Sequence, residues 1–543
     1  MSTMSNDHKF GKIRSILWPI HASELTKFIP MLLVFFLITF NYNILRAVKD
    51  SLIVTAPSSG AEAIPFIKLW AILPMAFVMT YIFTKLSNKY SIEQVFYWMM
   101  GIFLGFFALF TFILYPLREM LQPETFTHKL ALILPQGFKG LIAMINNWTL
   151  TAFYVMAELW GTTILTVLFW GFANEVTTVN EAKRFYSFLG VGANISGILS
   201  GQAAITLSSN GYFNFIHYGK NAWEQSVLFM NITILLSGIL IIIFFRFLNK
   251  KTANNSELTI SQVKTPKEKI SLKKSFAYLA KSKYLISLAL IVLSYNLTTH
   301  IIEVVWKNQI KQLYPNPADF NAYMGHVMKL IGIVATFFAL FLSGNFLRKF
   351  SWSFSALITP IIVLVTGIFF FLFFTVDSSL STKFAAFFGS TPLIMSVFFG
   401  TLQNTLSRAS KYTLFDATKE IAYIPLSKES KRKGKAAIDG VGSRFGKSSG
   451  SALTQGLLII FSTLTACAPY IAIIFIVILT VWIISVLALG KKFNALITQD
   501  AKIAIEQETA IQKPLEPKPS LNQQQLEEYF PFNVAKQKDE VKK

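Results

Sequence analysis

Cysteine is nearly absent from this chain. Cys467 stands alone among 543 residues, which excludes an intramolecular disulfide and any thiolate metal cluster. The six histidines form no paired spacing of the kind a metal ligand set needs, and no cofactor is expected. Charge is scarce as well. Asp, Glu, Lys and Arg make up 14% of the residues, against about 25% in ordinary soluble domains. Acids are scarcest, 28 against 50 Lys and Arg, for a formal net charge of +22. No cleavable signal is expected either: the first 27 residues are basic and polar and lead straight into an apolar run. They are too short, and too poor in Ser and Arg, for a plastid transit peptide.

What replaces charge is apolar surface. The chain is 53% hydrophobic and carries 52 Phe. Runs of about 20 apolar residues, each long enough to cross a bilayer, recur throughout. They predict an all-α polytopic membrane protein with twelve transmembrane helices, at roughly 28–47, 65–85, 94–115, 147–172, 185–208 and 226–248, then 284–305, 322–345, 353–376, 388–410, 436–461 and 468–490. Every second loop is basic, including those with Lys85 and Lys89, Lys183 and Arg184, Arg348 and Lys349, and Lys428 to Lys435. Cytoplasmic loops collect such residues. The even span count then places both termini in the cytoplasm, and the charge excess reads as loop charge rather than as a nucleic-acid surface. A remainder of it can attract an anionic substrate.

The expected organisation is a cytoplasmic segment 1–27, a six-helix bundle 28–248, a basic cytoplasmic linker 249–283, a second six-helix bundle 284–490 and a flexible cytoplasmic tail 491–543. The outside segment 116–146 is longer than a turn, and its stretch 130–145 could lie as a short helix on the membrane surface. The halves repeat each other. Glu181-Ala182-Lys183-Arg184 followed by Gly190-Val191-Gly192-Ala193-Asn194 returns as Glu429-Ser430-Lys431-Arg432 followed by Gly440-Val441-Gly442-Ser443-Arg444. Tyr42-Asn43-Ile44-Leu45 returns as Tyr295-Asn296-Leu297-Thr298. Six spans per half make the repeats parallel, with the pseudo-twofold axis along the membrane normal, as in the major-facilitator architecture. In transporters built from such repeats the binding site lies where the halves meet.

Ionisable groups inside spans are costly and mark transport paths. Arg46 and Lys49 at the end of the first span share a helical face, being three residues apart. Arg444 and Lys447 have the same spacing in the other half. Glu158 and Glu303 sit within spans. Two facing basic pairs would clamp phosphates, and the carboxylates could hold the lysines while the site is empty. Lys49 and Lys68 also lie close enough to span ends to snorkel. Arg408 and Lys411 read as flank charges at the end of the tenth span. A cytoplasmic gate of ion pairs could form from Glu175, Glu181, Lys183 and Arg184 with Glu429, Lys431 and Arg432. Segment 441–448 nearly reads as a phosphate-binding P-loop, but Val441 stands where Gly is required and no buried strand precedes it. Gly440, Gly442, Gly446 and Gly450 instead suit close helix packing. No catalytic constellation is visible, so the chain is not expected to be an enzyme.

Longer motifs carry a resemblance. Phe40-Asn41-Tyr42-Asn43-Ile44-Leu45-Arg46, Ile64-Pro65-Phe66-Ile67-Lys68, Phe169-Trp170-Gly171-Phe172-Ala173-Asn174-Glu175, Leu414-Phe415-Asp416-Ala417-Thr418-Lys419-Glu420, Ala422-Tyr423-Ile424-Pro425-Leu426 and Lys433-Gly434-Lys435-Ala436-Ala437 resemble the ATP:ADP antiporter family of plastids and obligate intracellular bacteria, most closely its chlamydial branch. The resemblance runs from about residue 9 to 490. It implies alternating-access import of host nucleotides, ATP, ADP or other nucleoside phosphates, across a bacterial inner membrane by exchange; proton-coupled net uptake of a broader or non-adenine nucleotide set is the alternative. The family's important charged positions fall on Lys49, Glu158, Glu303 and Lys447. Where its exchangers usually read Arg-Asp-Thr-Lys-Asp, this chain reads Arg46-Ala47-Val48-Lys49-Asp50. Tyr154, Trp160 or Trp306 is a candidate to stack on the base. The expected surroundings are lipid bilayer, with no nucleic-acid partner, and a monomer is favoured.

Overall fold

The computed structural model describes residues 20–209, 211–256, 282–342, 349–375, 378–435, 438 and 443–512. The chain divides into two compact units, Met1–Gly490 and Lys491–Lys543. Among the described residues the first unit is helical throughout, without a strand. Its long helices are α1 (Ala22–Val54), α2 (Ala63–Lys89), α3 (Ile92–Leu114) and α4 (Trp148–Val176), α5 (Val179–Ser208), α6 (Ala222–Lys250), α7 (Lys283–Leu313), α8 (Pro317–Phe341), α9 (Trp352–Phe374) and α10 (Pro392–Ala422), and α11 (Ser443–Phe461); α12 (Leu464–Gln512) starts in the first unit and ends in the second.

By length and hydropathy, ten described helices can cross a membrane, or eleven if the bent pair Ser381–Phe387 with α10, angled by 78°, counts as one span. The remaining expected span, 436–461, corresponds to α11, of which only Ser448–Phe461 is apolar enough. Arg444, Lys447 and a Gly/Ser-rich start dilute its first turns. Several helices overrun the expected boundaries. α1 has 33 residues and α7 has 31, about 50 and 46 Å at 1.5 Å per residue, against a hydrocarbon core of about 30 Å.

Local chemistry sets the helix starts. Asn316 accepts from the Ala318 amide ahead of Pro317 at the first turn of α8, and Thr391 caps Ile394 ahead of Pro392 in α10. Proline suits the first turn because its missing N–H has no intrahelical partner there. Thr178 and Glu181 form a reciprocal capping box at the start of α5. Packing within the N-terminal half is strongly aromatic: Phe96 stacks on Phe245 at 3.7 Å, and Phe110 meets Phe153 at 4.4 Å.

The halves meet along two seams. On one, α5 lies against α8 at backbone distance: a methyl placed on Gly201 would meet the Gly325 carbonyl at 2.5 Å, and one on Gly332 would meet the Asn194 carbonyl at 2.7 Å. On the other, α2 and the segment after α3 meet α11. That segment forms helices Glu124–Ile133 and Lys139–Asn146 rather than one surface helix over 130–145. Pro135 and Gly137 break it, and the turn at Gly137 lies on the backbone of Leu458 and Ile459. Gly446 and Gly450 bring α11 onto α7, where added methyls would meet Asn296 and His300 at 3.0 Å; Gly440 and Gly442 lie outside the described residues.

Candidate substrate site

α1, α2, α4, α7 and α10 enclose a chamber of about 210 Å³ between the halves. Tyr42, Arg46 and Lys49, at helical positions i, i+4 and i+7, line it from α1. Lys68 comes from α2, Glu158 from α4, and Tyr295, Asn296, Thr299, His300 and Glu303 from α7. α10 adds Gln403, Asn404, Ser407, Arg408, Lys411 and Tyr412. Two of these helices open into wide π-type turns that carry lining residues, Ile67–Ile72 with Lys68 in α2 and Lys411–Phe415 with Lys411 and Tyr412 in α10. Such turns occur where a site needs side chains re-aimed.

The charges form one network. The Lys49 ammonium lies 3.1 Å from Asp50 Oδ1 and 3.2 Å from Glu158 Oε2, over the Tyr154 ring at 3.8 Å. Arg46, Arg408 and Lys307 all converge on Glu303 Oε1, at 3.5, 3.3 and 3.0 Å. Lys307 also reaches Asp50 Oδ2 at 2.7 Å. A lone buried carboxylate would lose several kcal/mol of hydration; Asp50 meets that cost with two ammoniums. Lys68 Nζ lies 3.0 Å from His300 Nδ1, and His300 Nε2 lies 2.8 Å from Ser451 Oγ.

Among the described lining residues, five cations (Arg46, Lys49, Lys68, Arg408, Lys411) face two carboxylates, Glu158 and Glu303. Lys411 is further held by Asp416 at 2.8 Å. The balance favours an anion, and the low-dielectric surroundings strengthen that preference.

The chamber is open at one end. A larger cavity of about 1010 Å³ shares Tyr42, Arg46, Arg408 and Tyr412 with it and runs past Trp170 to Arg184, Tyr186 and Asp416, at the end of the bundle where α1 starts. The opposite end is shut. Lys311 of α7 donates to the Ser59 carbonyl beyond α1. Ser51 of α1 donates to Asn321 of α8 at 3.0 Å, and Asn321 donates on to Ser208 of α5 at 2.7 Å.

Of the residues expected at the site, Arg46, Lys49, Glu158 and Glu303 come together in this chamber. The side chains of Arg444 and Lys447 lie outside the described residues; their backbone forms the start of α11. The described basic pair facing Arg46 and Lys49 is Arg408 and Lys411. They are not flank charges, because α10 continues to Ala422. Asp50 and Lys307 were missed because each sits just past an expected span end. The signal for Lys307 was its i+4 spacing from Glu303. Tyr154, Trp160 and Trp306 are fully buried and absent from the lining, Tyr154 lying directly behind Lys49. Trp160 is tied by its indole N–H to the Ile38 carbonyl, and the aromatics that do face the space are Tyr42, Tyr295 and Tyr412. Ala47 and Val48 are also fully buried and absent from the lining, so the departure at that motif lies off the chamber face of α1.

The expected gate residues are partly described. Glu181 pairs with Lys27 at 2.9 Å and Arg184 pairs with Glu24, both within the N-terminal half. Glu175 and Lys431 are exposed. The side chains of Lys183, Glu429 and Arg432 lie outside the described residues.

A cation-rich chamber, open at one end and lined by membrane-crossing helices, points to the class: a multi-pass membrane transport protein. Residues 3–493 match the family described as "TLC ATP/ADP transporter". The chain is 46% identical over 498 residues to "ADP,ATP carrier protein 1" of Chlamydia pneumoniae, covering 91% of this chain and 96% of that protein. It is 40% identical over 481 residues to "ADP,ATP carrier protein 1, chloroplastic" of Arabidopsis thaliana, covering 89% and 76%. Among solved structures, a bacterial homologue of the iron transporter ferroportin in an inward-facing state matches with a TM-score of 0.55 at 15% identity, covering 87% of this chain and 100% of that one. A D-xylose-proton symporter matches with a TM-score of 0.51 at 10% identity, covering 86% and 97%. At such identities the likeness concerns the fold alone, a major-facilitator-like arrangement. The chain belongs to the TLC ATP/ADP transporter family.

Proposed function

We propose that this protein exchanges nucleotides, ATP against ADP or a related pair, across a bacterial inner membrane by alternating access, bringing host nucleotide into the cell. The observation that carries this reading is the chamber's five cations facing two carboxylates between the halves. A polyphosphate needs such a clamp; a neutral sugar would leave it uncompensated. The names of the relatives, ADP,ATP carriers, fit the same chemistry.

In this reading Arg46, Lys49, Arg444 and Lys447 hold phosphate oxygens, and Arg408 joins them. Guanidinium groups give two parallel bonds to phosphate, and lysines act as point charges. Glu158 and Glu303 occupy the cations when the chamber is empty and give them up to the substrate, so the empty and loaded carriers differ in helix contacts. Bundles 28–248 and 284–490, joined by 249–283, move against each other about the chamber. The open end faces the cytoplasm together with the N-terminus. Glu175, Glu181, Lys183 and Arg184 with Glu429, Lys431 and Arg432 close that end in the opposite state.

The test is uptake of labelled ATP by proteoliposomes, with nucleoside tri-, di- and monophosphates as competitors. Exchange predicts faster uptake when ADP is preloaded. Uptake indifferent to preloading but abolished by a protonophore would refute exchange, and no uptake of any nucleotide would refute the whole reading.

A further inference from the structure

The network contains two charged groups that the substrate has no direct use for. Asp50 and Lys307 are 0% and 1% exposed at their side chains, and neither lines the chamber. They form an ion pair between α1 of one half and α7 of the other, at 2.7 Å, beside the one between Arg46 and Glu303 at 3.5 Å. The register that sets Tyr42 against Tyr295 also sets Asp50 against Glu303, so repeat-equivalent carboxylates of the two halves share one ammonium. That ammonium lies beside the shut end, one helical turn from Lys311, which donates to the Ser59 carbonyl.

We propose that Asp50 and Lys307 are positioning residues that make reorientation depend on chamber occupancy, an inference that rests on the exchange reading above. In the empty chamber Glu303 is neutralised by Arg46 and Arg408 as well as by Lys307. Lys307 can therefore hold Asp50 and keep α1 and α7 together at the shut end. A polyphosphate that takes Arg46 and Arg408 strips Glu303 of two of its three cations. Glu303 then pulls on Lys307 in competition with Asp50, and the tie between the halves weakens. A loaded carrier opens; an empty one stays latched. Obligatory exchange is that behaviour.

The test uses full-length protein in proteoliposomes preloaded with labelled ATP, with efflux compared into nucleotide-free buffer and into ADP. Wild-type efflux should require external ADP. Lys307→Met and the double variant Asp50→Asn/Lys307→Met should raise efflux into nucleotide-free buffer by about fivefold or more, the low end of ordinary coupling between sites. The KM for exchange should stay within about threefold, because neither side chain touches the chamber. The double variant leaves each remaining charge a partner. Lys307→Arg keeps the charge and should remain strictly coupled. The inference is overturned if monodisperse double variant still needs external nucleotide, if its defect is a raised KM, or if Lys307→Arg also leaks. A wild-type protein that moves no nucleotide refutes the exchange reading instead.

Discussion

Lys49 on α1 and Glu158 on α4 stand 3.2 Å apart, with the lysine 4% exposed and the carboxylate 27% exposed. Glu158 is therefore the member of the pair that an incoming anion displaces, while Lys49 stays anchored by Asp50. Lys49→Met leaves Glu158 without that ammonium and deprives Asp50 of one of its two; breaking a buried pair costs about 3–5 kcal/mol. Transport at a fixed subsaturating nucleotide concentration should fall by roughly two orders of magnitude or more. Glu158→Gln should behave differently. The KM should hold or fall, since a competitor for Lys49 is gone, and the maximal rate should fall about tenfold. Uptake kinetics in proteoliposomes check both, and a raised KM in Glu158→Gln would sink the competition argument.

Arg408 reaches Glu303 at 3.3 Å and is oriented by Asn404, which accepts from its Nε at 2.7 Å. A guanidinium aimed in this way should distinguish nucleotides by phosphate number. Hydrogen bonds to charged groups contribute about 1.5–3 kcal/mol, so Arg408→Ala should weaken triphosphate binding by roughly 10–100-fold. Monophosphate, too short to span the cations, should lose less. A competition panel against labelled ATP reads the ratio directly; equal losses across the series would mean that Arg408 only supports the helix.

Much of this site was legible because membrane burial makes charge conspicuous. Lys49, Glu158 and Glu303 are where an apolar chain carries costly groups, and the structure draws them into one network. Asp50, Lys307, Arg408 and Lys411 were hidden by the assumption that a span ends after about 20 residues. α1, α7 and α10 run on, and groups that resembled interfacial flanks are buried between the halves. The three candidate aromatics lie off the chamber lining for a different reason. Tyr154, Trp160 and Trp306 lie on helices that reach the chamber, but their faces are settled by packing partners far away in sequence, such as Ile38 and Thr401. Periodicity along one helix does not reveal those partners.

The shut end supplies a prediction about closure. A side chain at Gly137 would begin 2.4 Å from the Leu458 carbonyl and 2.5 Å from the Ile459 Cα, and backbone cannot swing aside as a side chain can. Gly137→Leu should cost about 1–3 kcal/mol of packing and bias the carrier away from the state in which this turn rests on α11. Thermal stability of the purified protein should drop. A cysteine placed at Thr299, in a background with Cys467 replaced, should react faster with an impermeant thiol reagent added from the shut side. Gly105→Leu is the matched control, because nothing lies within 4 Å of a methyl there, and it should change neither reading.

At the open end, Glu181 supplies a pH test. Burial pushes its carboxyl up, but the Thr178 amide and the Lys27 ammonium at 2.9 Å outweigh that and hold it below the ordinary range. A depressed carboxyl stabilises the fold above its unfolded value, about 4.3, and that contribution is lost as pH falls below it. The side chains are partly exposed (17% and 18%), so the effect should be less than about 1 kcal/mol. Between about pH 6 and pH 4 the thermal midpoint should fall by up to about 1 °C more in wild type than in Glu181→Gln. Lys27→Met should show a smaller fall than wild type, because the amide alone remains to hold the carboxylate. Equal acid sensitivity in all three proteins would mean that this pair adds nothing to the hold between the start of α1 and α5.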